Sequence, residues 1–166
     1  FNSLNTISAY IHSNPDLADE VLHELADILR YSLDTGEANS VSLQQEIVII
    51  DKYLNIEKAR FGDRLIVNFD IPPELLNTQV PPLILQPIVE NSVKHNTQQT
   101  ELAITIKVEK IIHRKGEILK ILISDNGSGF SEAVLAKGYG NGIGMKNLQL
   151  RMQQLPQGKV ILSNDT

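Results

Sequence analysis

Leu119-Lys120-Ile121-Leu122-Ile123-Ser124-Asp125-Asn126-Gly127-Ser128-Gly129 is the stretch whose reading decides the fold. Leu119, Ile121 and Ile123 alternate with other residues, which predicts a strand. The strand runs straight into an acidic, glycine-spaced turn. A carboxylate at a strand end can accept a hydrogen bond from an amino group on a base. Glycines just beyond it let backbone approach a flat ring closely, because they carry no β-carbon. Asp-Asn-Gly is equally good chemistry for an ordinary β-turn, so on its own the stretch supports both readings.

The same alternation occurs upstream at Leu102, Ile104, Ile106 and Val108. These two segments predict an antiparallel hairpin turning near Gly116. Leu65, Val67, Phe69 and Ile71 predict a further strand. Pro72-Pro73 and Pro81-Pro82 bracket a loop, after which Leu83 to about His95 reads as helix. Pro87 must lie in its first turn or kink it. Asn91, Lys94 and His95 are three and four residues apart and share a face of that helix. An Asn carbonyl is a hard oxygen donor suited to Mg²⁺, and Lys94 can meet a phosphate. A polar helix surface carries the same residues.

Downstream, residues 126–144 read as a glycine-rich loop, followed by helix from Met145 to about Gln154 and a last strand beginning at Val160 and Ile161. Gly138, Gly140, Gly142 and Gly144 alternate just before the helix. Backbone N–H groups of such a loop, with a helix N-terminus behind them, suit phosphate oxygens. No Gly-Lys-Ser/Thr follows, which excludes a P-loop, and no strand immediately precedes, which argues against a dinucleotide fingerprint. Alone, the segment also reads as a flexible linker.

The first third is helical. Leu4, Ile7 and Ile11 have helical spacing, Ser13-Asn14-Pro15 interrupts, and Pro15 to about Asp34 carries Ala18, Val21, Leu25, Ile28 and Ser32 at steps of three and four. Leu22 and Leu29 widen that stripe to the width used in helical bundles. Two copies of such a hairpin can pair as a four-helix bundle. Ser42 and Gln45 form a possible capping box for a third helix ending near Phe61-Gly62.

The bulk composition sets limits. The chain has 166 residues, 42% of them hydrophobic, enough for a core, and only 5% aromatic, so that core is aliphatic. A formal charge of −5 and no long basic run disfavour direct binding to nucleic acid. The lack of cysteine excludes disulfides and thiolate metal sites. No apolar run is long enough to cross a bilayer.

In combination, the three polar elements resemble the ATP-binding domain shared by histidine kinases, gyrase-type topoisomerases, mismatch-repair ATPases and a heat-shock chaperone family, the Bergerat fold. The Asn91 helix looks like the N box, Asp125–Gly129 like the first glycine box, and Gly140 to Gly144 like the second. Phe1-Asn2-Ser3-Leu4-Asn5, Leu29-Arg30-Tyr31-Ser32-Leu33, Tyr53-Leu54-Asn55-Ile56-Glu57 with Arg60-Phe61, Pro81-Pro82, and Gln86 through Asn91 resemble the LytS/YehU-type sensor histidine kinases.

The resemblance implies an α+β chain: a helical dimerisation and phosphotransfer segment at 1–61, then an α/β sandwich with a mixed, largely antiparallel sheet at 62–166. It implies ATP and Mg²⁺ as cofactors. Asp125 would bind the adenine amino group, and Gly127 and Gly129 would shape the base pocket. Asn91 would coordinate the metal, Lys94 would approach the phosphates, and His95 would stand beside the nucleotide. Gly138, Gly140, Gly142 and Gly144 would form a lid. Glu90 would be a candidate general base for the acceptor histidine. The partners implied are a response regulator, often of LytTR type in that family, and a second copy through the N-terminal helices. The implied location is the cytoplasmic part of a bacterial protein anchored in the inner or plasma membrane.

In that family the acceptor histidine precedes the segment that Phe1 matches, so the chain reads as a fragment cut after its acceptor and before the final strand. His23 lies in an His-Glu-Leu sequence used by another kinase class, but no Arg-Thr-Pro follows and a surface role fits better. His12 and His113 sit near turns. Hydrolytic relatives place a Glu one helical turn before the metal Asn, and here that position is Pro87. The alternatives are a hydrolytic ATPase of the same superfamily and a non-enzymatic dimeric scaffold with a dead nucleotide site.

Overall fold

The computed structural model describes residues 2–36, 38–114, 116–137, 143–155 and 158–164. Helix α1 spans Asn2–Tyr10 and α2 spans Pro15–Asp34. Asn14 caps α2 through its side chain, with Pro15 in the first turn, as the Ser-Asn-Pro break predicts. A two-residue strand β1 (Val41–Ser42) leads into α3 (Leu43–Phe61). The capping box forms as expected: the Ser42 side chain accepts from the Gln45 amide, and the Gln45 side chain accepts from the Ser42 amide.

After a single 3₁₀ turn come β2 (Leu65–Asp70) and a second short strand, β3 (Gln79–Val80), which pairs antiparallel with β1. Helix α4 spans Gln86–His95, β4 spans Leu102–His113 and β5 spans Gly116–Asp125. The main sheet has the order β2-β4-β5. Strands β4 and β5 form the expected antiparallel hairpin, and β2 runs parallel to β4, so the sheet is mixed.

One face of this sheet carries the core. Leu102, Ile104, Ile106 and Val108 alternate inward on β4 and are at most 1% exposed. Against them pack Leu43, Ile50, Leu54 and Phe61 of α3, Val89 and Val93 of α4, and Met145 and Leu148 of α6 (Ile143–Gln153). Each such side chain taken from water contributes about 2 kcal/mol. A second cluster joins Val21 and Ile28 of α2 to Ile49 and Ile56 of α3. Helix α3 therefore buries residues in two directions, one toward the sheet and one toward α2. Lys52 of α3 clamps the second contact by pairing with Glu24 at 2.8 Å and Asp27 at 2.9 Å.

Three expectations need correction. The 126–144 segment is not all loop, because α5 (Glu132–Lys137) occupies part of it. Helix α4 begins at Gln86 rather than Leu83, since residues 82–85 form turns before it. No strand forms over 158–164, although Val160 and Leu162 pack on the core. Leu22 and Leu29, which widen the α2 stripe, are 48% and 56% exposed in the single chain, where α3 covers the Val21–Ile28 side of α2. Phe1, Gly138, Gly140 and Gly142 lie outside the described residues.

Candidate functional site

Helix α4 and the turn after β5 meet at one hydrogen bond. Asn96, the residue that ends α4, is 6% exposed and donates through Nδ2 to Asp125 Oδ1 at 3.1 Å. The same nitrogen donates to the Ser92 carbonyl at 2.7 Å, which fixes its orientation. Asp125 Oδ1 also accepts from the Gly127 amide at 3.0 Å. With Oδ1 committed twice, the second carboxylate oxygen is the one left to accept from a ligand.

The turn is pinned on every side. The Asn126 side chain accepts from the Ala103 amide at 2.9 Å and donates to the Glu101 carbonyl at 3.2 Å, tying the turn to the start of β4. Asn164 forms a reciprocal pair with the backbone of Phe130, at 2.7 and 2.9 Å. A β-carbon on Gly127 would stand 2.0 Å from Asn96 Oδ1. Gly129 has φ 77° and would bring a β-carbon to 2.8 Å from Asn164 Oδ1. Both glycines are thus required by close approach, beyond any turn propensity.

On α4 itself, Asn91 is half-buried and has no side-chain hydrogen-bond partner among the described residues, while Lys94 and His95 are exposed. Glu90 accepts from Gln86 one turn earlier, at 2.6 Å. Glu57 of α3, paired with Arg60 at 2.5 Å, is near enough to Glu90 for their charges to interact. The Glu57 carboxyl is pushed up mainly by burial, with Arg60 pulling it down and Glu90 adding to the rise. Gly144, the described member of the glycine series, lies in the first turn of α6, where a β-carbon would meet Pro87 Cβ at 3.3 Å. That close approach seats α6 on the first turn of α4. Arg151 of α6 donates to the Pro82 carbonyl, strengthening the same junction.

The structure brings Asp125, Gly127 and Gly129 together at the end of the Asn91 helix and sets Gly144 at its start. Asn96 and Asn164 are the residues that sequence reasoning missed. Asn96 follows the N-box-like run directly, which is the one signal that could have pointed to it. Among the described residues, no group of three or more acidic or histidine side chains could hold a metal ion. A single oxygen donor completed by phosphates and water is the kind of site Mg²⁺ uses.

This geometry agrees with two family comparisons. A model described as histidine kinase matches residues 1–65. A model described as histidine kinase-, DNA gyrase B- and HSP90-like ATPase matches residues 81–166, more than half of the chain. The chain belongs to this ATPase family. It is 40% identical over 151 residues to the sensor histidine kinase BtsS of Escherichia coli, covering 91% of this chain and 26% of that protein. It is 35% identical over 162 residues to the sensor histidine kinase YpdA of Escherichia coli, covering 93% and 28%. It is 31% identical over 167 residues to the sensor histidine kinase/phosphatase LytS of Staphylococcus aureus, again covering 93% and 28%. The chain spans about a quarter of the length of these relatives. At family level it corresponds to the catalytic region of sensor histidine kinases, of the LytS/YehU type.

Proposed function

We propose that this chain binds Mg-ATP for a protein-histidine kinase, with a helical dimerisation and phosphotransfer segment over 1–61 and the nucleotide domain over 62–166. The observation that carries the reading is Asp125. Its Oδ1 is held by Asn96 and Gly127, leaving the other oxygen for an adenine amino group. Gly127 and Gly129 keep the base pocket clear of β-carbons. Asn91 offers an oxygen to Mg²⁺, Lys94 approaches the phosphates, and His95 stands beside them. Gly138, Gly140, Gly142 and Gly144 close over the nucleotide as a lid. Magnesium would neutralise developing charge on the phosphates, so the protein's share of catalysis is mainly positioning.

The phosphate then goes to a histidine outside these residues and on to an aspartate of a response regulator of LytTR type. Pro87 occupies the position one turn before Asn91 where a hydrolytic base would stand. Transfer is therefore favoured over hydrolysis. Glu90, held by Gln86 Nε2, is the general base assigned to the acceptor. Dimerisation uses α1 and α2, and the parent protein is anchored in a bacterial membrane with this part in the cytoplasm. Among the described residues no helix is long and apolar enough to cross a membrane.

Calorimetric titration tests the reading. The wild-type chain should bind Mg-ATP and turn it over only slowly, while Asp125→Ala should remove binding in a chain that still melts cooperatively. Equal binding by Asp125→Ala, or rapid steady hydrolysis, would exclude this assignment.

A further inference from the structure

The first turn of α4 has no local cap. Leu85 stands at the N-cap position, and its side chain cannot accept a hydrogen bond. The acceptor comes instead from α3, nearly forty residues earlier. The Glu46 carboxylate is 2% exposed and receives the amides of Leu83 at 2.7 Å, Ile84 at 2.9 Å and Leu85 at 3.2 Å. Its fourth donor is the Tyr31 hydroxyl of α2, at 2.8 Å. Each carboxylate oxygen thus has two donors, and no buried side-chain polar atom among the described residues is left unpartnered. Three successive amides converging on one anion, ahead of a helix N-terminus, form a charge-assisted cradle. Leu83 takes φ 57° to complete it, a left-handed conformation unfavourable for a residue with a β-carbon. The contacts to Glu46 hold it there.

Helix α4 is therefore fixed at both ends, by Glu46 at its start and by the Asn96–Asp125 bond at its end. Asn91 lies between them. We infer that Glu46 is a positioning residue of the nucleotide site, transmitting the place of α2, through the Tyr31 hydroxyl, to the start of α4 and so to Asn91. The inference rests on the Mg-ATP reading of the site. It adds a physical path by which the phosphotransfer helices set the metal end of that site while leaving the adenine end alone. A shift of α2 moves Tyr31 relative to a carboxylate already saturated with donors. Tyr31 and the Leu83 amide share Oε1 of that carboxylate, so turning it changes where the three amides find their acceptor.

The test compares wild type, Glu46→Gln and Tyr31→Phe for binding of Mg-ATP and of adenosine. Glu46→Gln keeps one acceptor oxygen but turns an NH2 group toward the donors of the other, and should weaken Mg-ATP by about tenfold, the scale of losses when a residue supporting a metal ligand is altered, with adenosine within about twofold of wild type. Tyr31→Phe, which keeps the amide cradle, should shift binding the same way by a smaller factor. It carries the test if Glu46→Gln does not fold. Parallel losses for both ligands would mean that Glu46 only stabilises the fold, and would overturn the inference. Mg-ATP affinity unchanged in a folded Tyr31→Phe would overturn the path from α2. If wild type binds neither ligand, it is the Mg-ATP reading that fails. The nucleotide-free chain still decides the positioning claim through the Asn91 side-chain amide resonance. Tyr31→Phe should move that resonance, and an unmoved resonance in both variants contradicts the claim.

Discussion

The smallest features carry the most chemistry. Asp125 is useful because its surroundings commit one oxygen and spare the other. Asn96→Ala leaves Asp125 Oδ1 with only the Gly127 amide and frees the carboxylate to rotate. We expect ATP affinity to fall by about 1–3 kcal/mol, roughly fivefold to 150-fold, measured by calorimetry with the melting temperature as control. Gly127→Ala should do at least as much damage, since its β-carbon would collide with Asn96. Glu57 provides a pH-dependent test. Its folded-state pKa is raised, chiefly by burial. A raised carboxyl contributes stability that is fully present below its unfolded value and lost as pH rises through the folded one. Melting temperatures of wild type should therefore decline relative to Glu57→Gln as pH rises above the ordinary glutamate value, about 4.3. The opposite trend would mean that the Arg60 pair outweighs burial.

At the scale of elements, local signals and remote ones part company. The start of α3 was legible because Ser42 and Gln45 are three residues apart and cap each other. Ser42→Ala should cost about 1 kcal/mol of unfolding free energy in a denaturant melt, with the slope unchanged. The start of α4 was not legible in the same way. Its acceptor sits on another helix, so apolar Leu83, Ile84 and Leu85 looked like helix when they are turn. Strands β1 and β3 are two residues long and leave no alternation to find. Alternation did identify β2, β4 and β5, because one face of each packs on the core. It failed at Val160 and Ile161, where inward packing of Val160 and Leu162 comes without a ladder. The candidate site was legible as three motifs, and their order made the family recognisable. The Asn96–Asp125 bond joining two of them spans 29 residues and carries no periodic signature.

For the whole molecule, α3 is the shared wall. Ile49 and Ile56 face α2, while Ile50 and Leu54 face the sheet. Its single hydrophobic stretch therefore serves two cores. What remains uncovered is the far side of α2, where Leu22, Leu29 and Leu33 are 48%, 56% and 82% exposed. On the proposed pairing through α1 and α2, a second copy would cover that stripe of leucines, which a lone helix would not favour in water. Sedimentation should find a dimer at micromolar concentration, and Leu29→Lys with Leu33→Lys should give a folded monomer. A wild-type monomer would contradict pairing through this face.

On the proposed reading, Asn91 holds the metal of a bound Mg-ATP. The most direct measurement is the Asn91 side-chain amide resonance of the isotopically labelled chain, followed with Mg-ATP and then with Mn-ATP. The claim predicts that the resonance shifts with magnesium and broadens beyond detection with paramagnetic manganese, while the Asp125–Gly129 amides shift with ATP in either case. A sharp Asn91 resonance in saturating Mn-ATP would contradict it.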